Sequence, residues 1–115
     1  MSDVHKHQTD EMHECIHNCE DCHDYCLHEI HDRLKKGGQS AHSRHIGILM
    51  DCVQMCQTAH DFMVRHSHLH NVTCRACAEI CEACAESCEE VGAKKCAEIC
   101  RCCAKTCAAM GKKKA

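Results

Sequence analysis

Four cysteine ladders run through the chain at spacings that a helix turns into neighbours. Cys15, Cys19, Cys22 and Cys26 step by 4, 3 and 4; Cys74, Cys77, Cys81, Cys84 and Cys88 by 3, 4, 3 and 4; Cys96, Cys100, Cys103 and Cys107 by 4, 3 and 4; Cys52 and Cys56 add one more step of 4. Alternating steps of three and four place such side chains on one stripe of an α-helix. In a helical bundle that stripe faces the core and normally carries Leu and Ile. With thiols there, the core itself becomes a ligand set. Sixteen of the 115 residues are cysteine, and fifteen of them fall on the stripes; Cys102, beside Cys103, falls off the seam. A single buried cysteine reads as a small hydrophobe. Fifteen on aligned stripes do not, because Ala, Val or Leu would pack better and resist oxidation.

Thiolates can hold several metals, and their arrangement separates them. A structural zinc site wants four ligands in a closed tetrahedron, usually from CxxC pairs on loops. Cys74–Cys77 and Cys81–Cys84 are CxxC pairs, yet each belongs to a continuous helical ladder. Iron–sulfur clusters also use loop-borne cysteine runs around one discrete centre. A long tube of thiols with few hard ligands suits a soft monovalent ion, and Cu(I) accepts thiolate and thioether donors. Two cysteines at i and i+3 or i+4 can hold one such ion, with a third sulfur from a neighbouring helix. Capacity is then on the order of one Cu(I) per core cysteine. A zinc or mixed-metal thiolate sink remains an alternative. So does a thiol redox protein, which needs one or two accessible cysteines of depressed pKa. Disulfides within a stripe are disfavoured, because Cβ atoms at i and i+3 or i+4 lie about 5–6 Å apart against the ~3.5–4.5 Å of a cystine.

The elements that must position these thiols are helices. The sequence predicts an all-α, antiparallel up-down four-helix bundle with a cysteine-lined core, as a single domain over residues 1–115. Helix one spans about 9–36, with Thr9 as N-cap, Asp10 and Glu11 in the first turn, Lys35 and Lys36 in the last, and Gly37–Gly38 as the stop. Ser40 caps a second helix over about 40–67. Thr73 caps a third over about 73–91, ending near Gly92. A fourth covers about 93–110, with Gly111 as its stop and 111–115 as a solvated, flexible tail. The joints are short, so consecutive helices are antiparallel neighbours.

Composition narrows function further. The chain has no Pro, no Trp, one Phe and one Tyr, and a formal charge of −3, so a large aromatic core is impossible. That charge balance points to neither nucleic acid nor an anionic membrane as partner. No stretch approaches the ~20 apolar residues of a membrane span. Residues 1–12 are polar, with no apolar export-signal core. The expectation is a cytoplasmic protein, in a compartment where thiols stay reduced and cysteine clusters bind metal or do redox work. No nucleophile–base–orienter set stands out, so no enzymatic role is expected.

The four striped helices and the strings CRACAEICEAC and CAEICRCC resemble the bacterial copper storage proteins, over roughly Thr9 to Gly111. Those are four-helix bundles whose cysteine-filled lumens load with many Cu(I) ions. The resemblance implies a copper store that buffers toxicity or keeps copper for use, with copper ions and a copper chaperone as partners and a homo-oligomer, a tetramer, as the assembly. Helix two departs from the pattern with only two cysteines, and the thirteen histidines are another departure.

Antiparallel topology gathers Met12, Met63 with nearby His60, His70 and Met110 at one end. Thioether and imidazole are weaker copper ligands than thiolate, suited to passing an ion inward, so this end reads as an open mouth. The other end collects Ile30, Leu34, Ile46, Leu49 and Val91 as an apolar plug. His13, His17, His28 and His31 fall on the outer face of helix one, and His45 sits on the stripe of helix two near the plug, able to cap a terminal ion or simply pack.

Overall fold

Thr9 starts the first helix as its sequence suggests. Its Oγ1 accepts from the Met12 N–H at 3.1 Å, and Asp10 and Glu11 follow where carboxylates favour a helix N-terminus. In this computed structural model, which describes residues 9–112, α1 runs Asp10–Lys36. Arg33, Lys35 and Lys36 close its last turn, and Gly37, at φ 70°, sends its N–H back to the Arg33 carbonyl. A 3₁₀ turn over Gly38–Ala41 leads to α2, Ser43–Val64. The cap of α2 is therefore His42, whose ring nitrogen accepts from Arg44 N–H. Ser40, the expected cap, lies inside the 3₁₀ turn, its carbonyl accepting from Arg33.

The α2 end is a Schellman closure on a non-glycine residue. His66 takes φ 56°, its N–H bonds Met63 O, and Ser67 N–H bonds Phe62 O. The tight reversal brings α3 in early, over His70–Glu90. Thr73 is consequently inside the helix, its hydroxyl donating to the His70 carbonyl at 3.0 Å instead of capping. The same closure recurs between α3 and α4 (Lys94–Gly111): Gly92 sits at φ 80°, with Gly92 N–H on Glu89 O and Ala93 N–H on Cys88 O.

Each helix packs on two neighbours, α1 on α2 and α4, α3 on α2 and α4. The result is an antiparallel four-helix bundle, all-α among the described residues, 47 × 29 × 18 Å. Gly111 is not part of a tail. It is the buried last residue of α4, and a Cβ there would stand 3.1 Å from the Arg75 backbone nitrogen; Arg75 also donates to the Gly111 carbonyl. The rest of the expected tail, 113–115, lies outside the described residues. No helix among the described residues is long and apolar enough to cross a membrane.

Candidate metal centre

The 3/4 stripes of all four helices turn to one axis. Fifteen cysteines are buried there and Cys102 is exposed; among the described residues the buried polar ones are His45, Thr73 and Ser87, with no Lys, Arg, Asp or Glu. Register across the bundle is regular. Down α1 and up α4, Cys15 meets Cys107 at 3.5 Å, Cys19 meets Cys103 at 3.8 Å, Cys22 meets Cys100 at 3.8 Å and Cys26 meets Cys96 at 3.9 Å. Cys52 and Cys56 of α2 lie 3.8 and 3.7 Å from Cys81, and Cys56 lies 3.9 Å from Cys77. Cys22 and Cys52 close the ring between α1 and α2 at 3.6 Å.

These separations are far beyond a disulfide bond of about 2.05 Å, and all sixteen cysteines are free. They match the edges of metal–thiolate polyhedra. With a metal–sulfur bond of about 2.3 Å, as in zinc thiolates, three-coordinate and tetrahedral sites have sulfur–sulfur edges of about 4.0 and 3.8 Å. The thiols gather into Cys19/Cys77/Cys103/Cys107, Cys22/Cys52/Cys56/Cys81, Cys22/Cys26/Cys52/Cys100, Cys56/Cys77/Cys81/Cys103 and Cys84/Cys88/Cys100, the sulfurs of each within 4.8 Å of one another. Cys22, Cys52, Cys56, Cys77, Cys81, Cys100 and Cys103 each belong to two groups, so these are overlapping parts of one column. Cys74 sits at its top beside Cys15 and Cys107, which perturb its titration.

Burial raises the pKa of these core thiols, and thiol–thiol hydrogen bonds divide them. Cys103 and Cys15 beside Cys107 push it up, Cys103 and Cys19 do the same to Cys56, and Cys100 does so to Cys96. Neighbouring donors pull others down: Cys100 and Cys22 act on Cys52, Cys107 and Cys19 on Cys103, and Cys22 brings Cys100 to about 7. The pairwise bonds act in both directions, whereas desolvation acts on each of these thiols in the raising direction. A raised thiol stabilises the fold fully below the ordinary thiol range of about 8.5 and loses that contribution as pH climbs above it, where the unfolded chain ionises first. The metal-free, reduced protein is therefore expected to melt at progressively lower temperature from about pH 8 to about pH 10. Circular dichroism melts under anaerobic buffer test this, and a flat profile would contradict it.

The two ends differ from the expectation in detail. Met12, Met63 and Met110 are buried members of the core cluster, Met12 and Met110 about one helical turn beyond Cys15 and Cys107. His70 stays half-buried, its Nδ1 on the Ser67 carbonyl at 3.0 Å. His60 is not at the rim. It lies on the bundle flank, Nε2 3.2 Å from Glu20 of α1 and Nδ1 3.0 Å from Asp61, in a groove with His23. At the opposite end Leu34 and Val91 are 57% and 38% exposed, so they are not the plug. Leu49 is fully buried, Ile30 and Ile46 are partly buried against the core, and the partly buried Arg33–Glu29 ion pair lies on the last turns of α1. His17 and His28 are exposed and face Glu20 and Asp32 of their own helix.

Sequence reasoning passed over Ser87. It is 3% exposed and its Oγ lies 2.7 Å from His45 Nδ1. A serine on the shoulder of a cysteine stripe carries no signal until its partner is known. Burial, followed by the Arg33 charge, holds the His45 imidazole below its ordinary pKa.

The profile of a family described as copper storage protein matches residues 1–112. Among solved structures, the Nmul_A1745 protein of Nitrosospira multiformis is 38% identical, with a TM-score of 0.85 over 90% of this chain and 97% of that one. A structure described as Cu(I)-bound copper storage protein BsCsp3 is 30% identical, with a TM-score of 0.83 over 89% of this chain and 99% of that one. A sequence comparison with curated proteins returns no match.

Proposed function

Because the chain belongs to the copper storage protein family, we propose that it takes up many Cu(I) ions along its thiol column and holds them as a reserve or out of toxic circulation. The observation that carries this is a column of overlapping thiol groups in a core where, among the described residues, no Lys or Arg is buried. Each Cu(I) that binds replaces one thiol proton, so the core stays neutral when filled at about one ion per thiolate. A tetrathiolate zinc site would leave two negative charges buried at each metal, which is costly without cations beside it. Shared thiols also suit bridging between ions rather than the closed set of a discrete zinc site.

In this reading the ligands are Cys15, Cys19, Cys22, Cys26, Cys52, Cys56, Cys74, Cys77, Cys81, Cys84, Cys88, Cys96, Cys100, Cys103 and Cys107, and the whole bundle is one storage unit. Met12, Met63 and Met110 supply thioethers through which ions pass at one end, with His70 beside them. Cys102, outside the column, has no storage role, and His60 on the flank is held by carboxylates. The role is storage rather than catalysis. Sixteen free thiols suit a reducing compartment such as the cytoplasm. A copper chaperone is the natural donor, and several copies assemble into a homo-oligomer, with exposed Leu27, Met50 and Leu69 as available apolar area.

Anaerobic titration of the reduced protein with Cu(I), against a chromophoric chelator, is expected to show uptake well beyond four ions per chain. Saturation at one or two ions would overturn the storage reading.

A further inference from the structure

Among the described residues, His45 Nε2 is the buried side-chain nitrogen or oxygen left without a hydrogen-bond partner. The residue is 3% exposed, and an orphaned buried donor or acceptor is destabilising. Its other nitrogen is fixed, since Nδ1 meets Ser87 Oγ at 2.7 Å. The ring cannot turn to satisfy Nε2 without losing that bond.

The position of the ring in the column explains the orphan. His45 lies on the α2 stripe that continues through Leu49, Cys52 and Cys56. Cys52 meets Cys81 and Cys56 meets Cys77, so four residues along α2 correspond to four back along α3. Seven residues before Cys52 is His45, and seven after Cys81 is Cys88. Cys88 belongs to the lowest thiol group, with Cys84 and Cys100. At the level where α3 contributes Cys88, α2 thus contributes an imidazole instead of a thiol.

We propose that His45 Nε2 is a metal ligand that joins the Cys88 thiolate in a mixed imidazole–thiolate site for Cu(I), the last site of the column, with Ser87 as its positioning residue. The inference rests on the Cu(I) reading above. Binding donates the Nε2 lone pair and the Cys88 thiolate pair to the ion and releases the Cys88 proton to solvent; nothing is oxidised or reduced. Imidazole is an established Cu ligand, and ligating histidines donate their second ring N–H to an oxygen acceptor, the place Ser87 Oγ occupies.

The test compares wild type, His45→Leu and Ser87→Ala by anaerobic Cu(I) titration, with ¹H–¹⁵N imidazole spectra of the wild type before and after loading. His45→Leu is expected to bind about one ion fewer per chain and, metal-free, to melt no lower than wild type because the orphan is gone. Ser87→Ala is expected to keep the count and to weaken the last ion held. In the wild type the His45 Nε2 resonance is expected to move on full loading, which requires no variant to fold. An unmoved resonance, or an unchanged count in His45→Leu, overturns the inference while leaving copper storage intact. Failure of the wild type to take up Cu(I) at all overturns both.

Discussion

Filling the column with Cu(I) is expected to raise the melting temperature by several tens of degrees. The metal-free core is weak by composition. Its largest fully buried side chains are Leu49, Met63 and Met110, and the rest of the axis is mostly cysteine and alanine. Small side chains contribute less burial free energy than Leu or Phe, and a chain of this length has little margin. Ions bound only to the folded state add stability by mass action, about 2.7 kcal/mol per site at a hundred times its dissociation constant. Four such sites give about 11 kcal/mol, and about 1 kcal/mol moves a domain of this size by roughly 4 °C. Anaerobic calorimetry at stepwise copper loadings measures it. A melting curve unchanged at full loading would place the ions outside the core.

Removing the two thiols of α2 together, Cys52→Ala with Cys56→Ala, is expected to cost about half of the copper capacity and a comparable share of the thermal gain. The helix supplies few ligands, but they sit at the centre. Three of the five thiol groups contain Cys52 or Cys56, and Cys22, Cys26, Cys77, Cys81, Cys100 and Cys103 share a group with one or both. Their loss also leaves α2 without a thiol link to α1, α3 or α4. Small apolar replacements add little cavity beyond the missing sulfur, so the variant should fold. Cys102→Ala is the control: its thiol is exposed, and capacity should not change. A double variant that loses only two ions' worth of binding would mean that the groups do not bridge.

The thiol column was legible because its signal is local. A 3/4 repeat fixes which face of a helix carries the sulfurs, whatever the helix packs against, and Gly37, Gly92 and Thr9 mark boundaries by their own backbone chemistry. The misread points depend on tertiary geometry. Thr73 was a good capping residue, but the Schellman turn at His66, a conformation that glycine usually provides, starts α3 at His70 and takes Thr73 inside it. Gly111 read as a stop because glycine usually is one; its role in a close approach to Arg75 needs both helices in place. Leu34 and Val91 lie past Cys26 and Cys88, the last thiols of their helices, and are left exposed. The His45–Ser87 contact joins residues 42 apart in sequence, and no spacing rule reaches that far.

The overlap of the thiol groups also bears on how copper would travel. Cys77 and Cys103 belong both to the group at Cys107 and to the next one down, Cys22 and Cys52 to two groups further along, and Cys100 to the last two. An ion can therefore trade one sulfur for the next while keeping the others, and never needs to be stripped bare inside the protein. Such a column behaves like a one-dimensional ionic conductor. In a nearly full chain what migrates is the vacancy, and every resident ion shifts by a single place as it passes. Release from the deepest layer then takes no longer bond-breaking step than release from the first, so the rate at which the protein empties is set at its ends and not along its length.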